Sequence, residues 1–359
     1  MFYELIKGIL QKPQAQVFFL QGYHINQYPL DQLQPHMAFY EGKRVPSLPH
    51  ISVLLQLINS HIFRTRTASP LLAQVQVYHP SNYSSLVFQW SRSPLVLTAN
   101  DMIPELYPQD FPDIKKRLKT KLKCFFRADR IIAISQTTRN DLLEFYNLPK
   151  NKITVIYPGV PLLEIAPQPL LQPRTRPFIL YVGSRKQAYK NFKNLLIAYG
   201  ANKNIHNHFD LVCCGGTPFT RAELRLMAKL GCVKTVFQRS ADDSQLAFLY
   251  SRASALVYPS LYEGFGLPPL EAQAHLCPTI TSEIDVFKEV LGDSTAFFNP
   301  NDPQTMATAI ESVLYDQTLR STLVAKGTQN VTHYNWQHMT HDVYDLYEKL
   351  LQQPSPIQK

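Results

Sequence analysis

The stretch YEGFGLPPLEA (262–272) sets two carboxylates, Glu263 and Glu271, on either side of a Gly-x-Gly pair and a Pro-Pro pair. Gly264 and Gly266 let the backbone turn sharply and approach a ligand closely. Pro268 and Pro269 suit the opening turn of a helix, where their missing amide protons have no partner to lose, and Glu271 is expected in that same first turn. Free amides and the positive helix end favour an anion, most naturally a diphosphate. Carboxylates accept hydrogen bonds from vicinal hydroxyls, as the acidic residue does on ribose in dinucleotide folds. A ligand with phosphates at its centre and polyols at both ends satisfies both halves, which describes a nucleotide-sugar. The plainer alternative is that Glu271 only complements the helix dipole and Glu263 is a solvated turn residue.

A second group lies in GSRKQAYKN (183–191), directly after the apolar run FILYVG. Arg185 and Lys190 follow a strand end, where ligands of open α/β sheets bind. Two cations beside a diphosphate stabilise the charge that grows as a nucleotide departs. The alternative is an exposed, solvated loop. No His/Asp cluster is arranged to hold a divalent ion, so no metal is expected.

The elements that must hold these residues are legible as alternation. From Phe178 onward, β-rich runs (FILYVG, DLVCCGG, KTVFQ, ALVYPS, PTITS, TAFFNP) alternate with helical segments. Thr220 and Glu223 have capping-box spacing before a helix that stops at Gly231, and Asp302-Pro303 opens another. Such alternation predicts an α/β fold with a parallel sheet covered on both faces. The first 160 residues repeat the pattern less cleanly through QVFFLQG, QVQVYHP, PLVLTAND, RIIAIS and ITVIYPG. The proline-rich stretch 161–177 reads as a linker. The expected organisation is a first Rossmann-like domain over 1–165, a linker over 166–177, a second such domain over 178–333, and a terminal helix over 334–353.

Composition narrows the class. The 359 residues are 45% hydrophobic and 18% charged, enough for two packed domains, and the net charge of +9 favours anionic partners. Five cysteines (124, 213, 214, 232, 277) form no Cys-x-x-Cys pair, which disfavours a disulfide framework or structural zinc. Neither a membrane span nor a signal peptide is read, and a soluble cytoplasmic protein is expected. In DIKKRLKTKLKCFFRADR (113–130), Ile114, Leu118, Leu122 and Phe125 form one stripe, with Lys115, Lys116, Lys119 and Lys123 opposite. That face is either simply solvated or a peripheral contact with a membrane surface. No aromatic-interleaved basic motif accompanies it, so nucleic acid is not an expected partner.

Three stretches resemble the retaining family-4 glycosyltransferases of the GT-B fold: ADRIIAISQTTRNDLLEFYNLPKNKITVIYPGV (128–160), FILYVGSRKQAYKNFKNLLIAY (178–199) and ALVYPSLYEGFGLPPLEAQAHLCPTITS (255–282). The resemblance implies two Rossmann-like domains facing a cleft, with the last helix crossing back to the first. It implies that Glu263 contacts the transferred sugar, and that Gly264, Phe265, Gly266 and Leu267, with Ser184, meet its hydroxyls and the diphosphate. Glu271 would hold the ribose, and Arg185 and Lys190 would be the cationic pair that replaces a metal. The donor would be GDP-mannose or a UDP-sugar. The acceptor would be a saccharide or lipid-linked saccharide, glycosylated with retention in polysaccharide assembly at the inner face of a membrane.

The sequence also departs from that pattern. Helix FYELIKGIL follows Met1 directly, where the family places a first strand and glycine-rich loop; this implies a different start or a truncated, catalytically silent paralogue. Asn100-Asp101 stands where relatives carry His-Asp, and Asn100 can donate to a hydroxyl but cannot act as acid or base. His79 matches a strand-end histidine and is a candidate acceptor contact or a structural residue. Leu276 replaces a glycine and Glu283 an asparagine, with small effects expected. An epimerase or phosphorylase of the same fold is a third, less favoured reading.

Overall fold

A computed structural model describes residues 1–24, 30–45, 51–67, 74–84, 93–111, 113–161, 165–169 and 176–352. The chain opens with helix α1 (Phe2–Ile9), strands β1 (Phe18–His24) and β2 (Phe39–Arg44), and helix α2 (Ile51–Thr67). There follow β3 (Val96–Ala99), α3 (Ile103–Leu106), α4 (Ile114–Arg127), β4 (Arg130–Ala133), α5 (Gln136–Tyr146) and β5 (Ile153–Val155). β1 pairs with β2 in parallel, and β3, β4 and β5 form a separate parallel sheet in that order. Among the described residues no ladder joins the two.

Two expectations change here. QVQVYHP yields only a single bridge, Tyr78 to Leu95, because Pro80 and Pro94 lack the amides a longer ladder requires. Strand β2, FYEGKR, was not anticipated, since a glycine and three charged residues hide any apolar alternation. Of the linker, residues 162–164 and 170–175 lie outside the description.

The second domain contains β6 (Phe178–Val182), α6 (Phe192–Ala201), α7 (Lys203–His208), β7 (Asp210–Cys214), α8 (Arg221–Lys229), β8 (Val236–Arg239) and α9 (Asp243–Arg252). It continues through β9 (Ala255–Tyr258), α10 (Leu267–Ala274), β10 (Thr279–Ser282), α11 (Asp285–Leu291), β11 (Ala296–Phe298), α12 (Pro303–Tyr315) and α13 (Gln317–Val331). All six strands form one parallel sheet in the order β11-β10-β9-β6-β7-β8. Parallel strands covered on both faces read as unbroken apolar runs, and FILYV and ALVY do. Leu180, Val212 and Leu256 pack on one face with α9, α10 and α11, while Ile179, Leu211 and Ala255 pack on the other with α6, α8 and α12. The capping box of Thr220 and Glu223 and the Asp302 cap form as the sequence predicts.

Helix α14 (Trp336–Gln352) returns to the first domain, burying Met339, Val343, Leu346 and Leu350 against Leu5, Val96, Ile132 and Ile156. Full burial of an aliphatic side chain contributes about 1.5–3 kcal/mol, so this apolar seam ties the chain's two ends to the first sheet. All five cysteines are free and buried. No helix among the described residues is long and apolar enough to cross a membrane.

Candidate active site

The carboxyl ends of β6 and β9, adjacent strands at the centre of the sheet, carry the first cluster. After β9 the chain turns through Ser260 and Glu263. Glu263 is only 8% exposed, and its Oε1 accepts hydrogen bonds from Lys190 Nζ at 2.5 Å, Ser260 Oγ at 2.7 Å and Tyr258 OH at 2.9 Å. Lys190 ends a short 3-10 turn after β6, with its ammonium group against the Tyr189 and Tyr258 rings. A backbone bond from Leu261 N to Tyr189 O, 2.7 Å, ties the two loops together. Burial would ordinarily penalise this carboxylate; the cation and two hydroxyls offset that cost.

Gly266 has φ +98 and caps α10; any Cβ there would meet the Phe287 ring at 2.6 Å. Leu267, rather than Pro268, is the first helical residue. Glu271 is therefore the fifth residue and stands in the second turn, which corrects the first-turn expectation. It is 8% exposed and accepts from Tyr250 OH at 3.0 Å. Burial pushes its carboxyl up to about 7, opposed by that hydrogen bond.

Arg185 occupies a different environment from Lys190. Its Nε donates to Glu223 Oε1 at 3.1 Å, Nη1 to Gly215 O at 3.0 Å, and Nη2 to Thr217 O. The guanidinium also lies 4.6 Å from the Phe219 centroid, and its side chain is 3% exposed. The two cations of the expected pair thus have different partners: Lys190 serves Glu263, and Arg185 joins β6 to the start of α8. Ser184 stays at the end of β6, where its Oγ accepts from Lys186 N at 3.4 Å and its carbonyl from Tyr181 OH at 3.2 Å.

The remaining motif residues face the junction between domains. Gly264 O accepts from Ser135 Oγ at 2.7 Å and Thr138 Oγ1 at 3.2 Å, and a Cβ on Gly264 would lie 1.8 Å from Asn100 O. Phe265 is buried with its ring against Tyr157 and Tyr334, so only its backbone is left to meet a ligand. Leu267 packs on the apolar layer beneath. Asn100 is exposed at the end of β3. Asp101 Oδ1 accepts from Ile103 N at 2.9 Å, and burial raises its pKa. His79 has both ring nitrogens engaged, Nδ1 with Tyr347 OH at 2.6 Å and Nε2 with Thr98 Oγ1 at 2.9 Å, and burial lowers its pKa to about 3. It is a neutral joint between α14 and β3, with no ring nitrogen turned to an acceptor.

Several site residues escaped the sequence reading. Glu289 on α11 reaches the amino end of α5: its Oε1 accepts from Gln136 N at 2.5 Å and Tyr157 OH at 3.0 Å. Its Oε2 accepts from Thr137 N and Thr137 Oγ1, both at 2.8 Å. Tyr262 OH donates to Asp141 and accepts from Met102 N at 3.2 Å. Lys121, within the basic helix, points inward to Glu105 at 2.8 Å and Asp101 O at 2.9 Å. Nothing in VFKEVLG marks Glu289 as anything but a helical surface residue. Glu223 was visible as a capping residue; its second role was not. Among the described residues, no group of three His, Cys, Asp or Glu side chains could hold a metal ion.

Residues 21–163 match the family described as Glycosyltransferase Family 4, and residues 164–330 match Glycosyl transferases group 1. The chain belongs to the family-4 glycosyltransferases. It is 30% identical over 235 residues, 60% of this chain and 60% of the relative, to the O-antigen chain mannosyltransferase RfbU of Salmonella typhimurium. The chain thus spans about three-fifths of that relative's length. Two solved structures share the GT-B fold, each with a TM-score of 0.70. Sucrose-phosphate synthase from Thermosynechococcus elongatus is 22% identical, with 88% of this chain and 84% of that chain covered. HepE of Anabaena, in complex with UDP and glucose, is 16% identical, with 96% and 95% covered.

Proposed function

We propose that this protein transfers a hexosyl group, of mannose or glucose type, from a nucleotide-diphosphate sugar to a saccharide or glycolipid acceptor in glycan assembly. The observation that carries this reading is the Glu263 carboxylate, held by Lys190, Tyr258 and Ser260 beside the amino end of α10. Carboxylate, ammonium and helix terminus together suit a ligand with hydroxyls at one end and a diphosphate next to them. A mannosyltransferase relative and a fold neighbour holding UDP and glucose support the donor class.

In this reading Glu263 orients the sugar hydroxyls, and Lys190 stabilises the charge gathering on the departing diphosphate. The amino end of α10 adds to that positive field, so the reaction proceeds without a divalent metal. The sugar passes through an oxocarbenium-like state as its bond to the diphosphate oxygen breaks. The acceptor oxygen bonds from the face the nucleotide leaves, with retention, and its proton passes to the departing phosphate. Glu263 Oε1 already carries three hydrogen bonds, which makes it a poor nucleophile and a good orienting group. Arg185 assists only after exchanging its present carbonyl and carboxylate partners for phosphate. That engagement favours, as a second reading, a protein that binds donor without transfer.

Location belongs to the same proposal. Lys115, Lys116, Lys119 and Lys123 are exposed on α4 with Phe126, itself 57% exposed. A cationic face on a helix whose opposite stripe is buried or half-buried suits peripheral contact with an anionic inner-membrane surface. Flotation with phosphatidylglycerol vesicles should carry the protein up the gradient, and replacing the four lysines with glutamine should leave it at the bottom.

The decisive assay gives the full chain GDP-mannose or UDP-glucose with an oligosaccharide acceptor and follows nucleotide diphosphate release with and without EDTA. Glu263→Gln should lower turnover by roughly two to three orders of magnitude while donor affinity changes only a few-fold. Unchanged turnover in that variant would remove Glu263 from the reaction; donor binding with no transfer by the unaltered protein would select the second reading.

A further inference from the structure

The carboxyl edge of the second sheet ends in a row fixed by register. Val182 of β6 lies opposite Cys214 of β7, and Cys214 lies opposite Arg239 of β8. Residues paired across parallel strands share a face, and Cys214 faces the layer that contains Tyr250 and Leu270. Arg239 therefore stands on the Glu271 side of the sheet, two strands and roughly 10 Å from Val182. Val182, Ala241 and Leu246 pack partly buried against the same layer. Among the described residues the Arg239 guanidinium has no hydrogen-bond or ion-pair partner, while its backbone carbonyl is fixed by Gly215 N at 3.1 Å.

We propose that Arg239 reads the edge of the donor's nucleobase and makes the site selective for guanine. The inference rests on the nucleotide-sugar reading given above. Glu263 and Lys190 fix the sugar and phosphate end at β9 and β6, and Glu271 takes the ribose from the same face. From the ribose, the base then runs away from Glu263, past β7 toward β8. Val182, Ala241 and Leu246 offer a flat ring an apolar bed, and Arg239 stands at its far rim. A guanidinium presents only donors, in a planar fork. Guanine offers O6 and N7 as two adjacent acceptors that match this fork, whereas adenine sets an amino donor beside N7. Uracil has a donor, N3–H, between its two carbonyls and gives the fork no adjacent pair.

The test is calorimetric titration of the full chain with GDP, UDP and ADP, repeated for Arg239→Ala and Arg239→Lys after confirming unchanged melting. The diphosphate is common to all three probes, so attraction of Arg239 to phosphate cancels in the affinity ratios. GDP should bind at least roughly tenfold tighter than UDP or ADP. Both substitutions should bring the three within about threefold by weakening GDP, because lysine keeps the charge but not the fork. Equal binding of GDP and UDP by the unaltered protein, or a GDP preference that survives either substitution, overturns the proposal. Failure of all three diphosphates to bind overturns the nucleotide-sugar reading itself, which a lost preference alone does not.

Discussion

The second domain carries its six strands in a single ladder with apolar layers on both faces, whereas the first divides its strands between two short sheets. The polar groups differ in the same way. Glu263, Lys190, Tyr258 and Ser260 satisfy one another inside the second domain. Across the junction, two hydroxyls (Ser135 and Thr138), helix amides and two side-chain bonds from Tyr157 and Tyr262 meet their counterparts, and the Asn100 carbonyl lies against Gly264. One half is preorganised by its core; the other is docked onto it by hydrogen bonds together with apolar contacts, Ile134 and Val160 packing into the second domain's core and Tyr157 against Phe265. Several of these contacts converge on the loop that carries Glu263 and Gly264, so the junction is where the chemistry is most easily lost without loss of the fold.

The sharpest way to break that contrast is Gly264→Ala. The added methyl would lie 1.8 Å from Asn100 O, and a carbonyl held at a strand end cannot yield by that much. The domains must part by about an ångström or more, a displacement that can cost a hundredfold or more in rate. Transfer should fall by that factor, with the affinity for nucleotide diphosphate within a few-fold of normal. A weakened diphosphate affinity with proportionate loss of rate would instead assign Gly264 to the donor site alone.

Glu271 tests whether the preorganised half pays for its site in stability. Its ordinary pKa of 4.5 rises to about 7 in the folded protein, chiefly through burial. The folded state therefore holds a proton that the unfolded chain releases from about pH 4.5 upward. Stability is full below that point, falls as pH rises toward 7, and levels off above it, for a total on the order of 3 kcal/mol. Glu271→Gln should flatten this decline in urea titrations run between pH 4.5 and 8. An unchanged slope in the variant would mean that another group titrates there.

Glu289 probes the docked half. Its carboxylate accepts from two free amides and a hydroxyl at the amino end of α5, a charge-assisted cap supplied by the other domain. Glu289→Gln keeps the shape and removes the charge, and should cost about 1–2 kcal/mol. Amide exchange should quicken over residues 136–146 and stay unchanged in the strands of the second domain. Equal acceleration in both domains would show that they unfold as one unit.

What the sequence disclosed follows the same division. Unbroken apolar runs flanked by caps and glycines made the second domain readable, and the Glu-Gly-x-Gly-Leu-Pro-Pro spacing located the turn that holds Glu263. The first domain was harder because its pairing depends on prolines at 80 and 94 and on a charged strand, FYEGKR, that no alternation marks. Long-range partners were the least visible. Glu289 meets α5 from 152 residues away and Arg185 meets Glu223 across 38, and neither separation has a period to betray it. His79 shows the converse: a residue type associated with chemistry that the fold spends on a core joint.

Leu276 offers the smallest and cleanest perturbation of the second domain. The family resemblance implies glycine at this position, with little effect expected from leucine. The backbone there has φ +59, just beyond the end of α10, and the side chain is 61% exposed. A left-handed leucine costs about 1–2 kcal/mol, and so little of it is buried that packing returns only part of this. Glycine removes the strain but makes the unfolded chain more flexible, at a cost of roughly 0.5–1 kcal/mol. Leu276→Gly should therefore stabilise the second domain by about 0.5 kcal/mol in urea, while Leu276→Ala, which keeps the Cβ, should not. Stabilisation by both would point to relief of an exposed apolar contact, and destabilisation by glycine would mean that the leucine packing outweighs the strain.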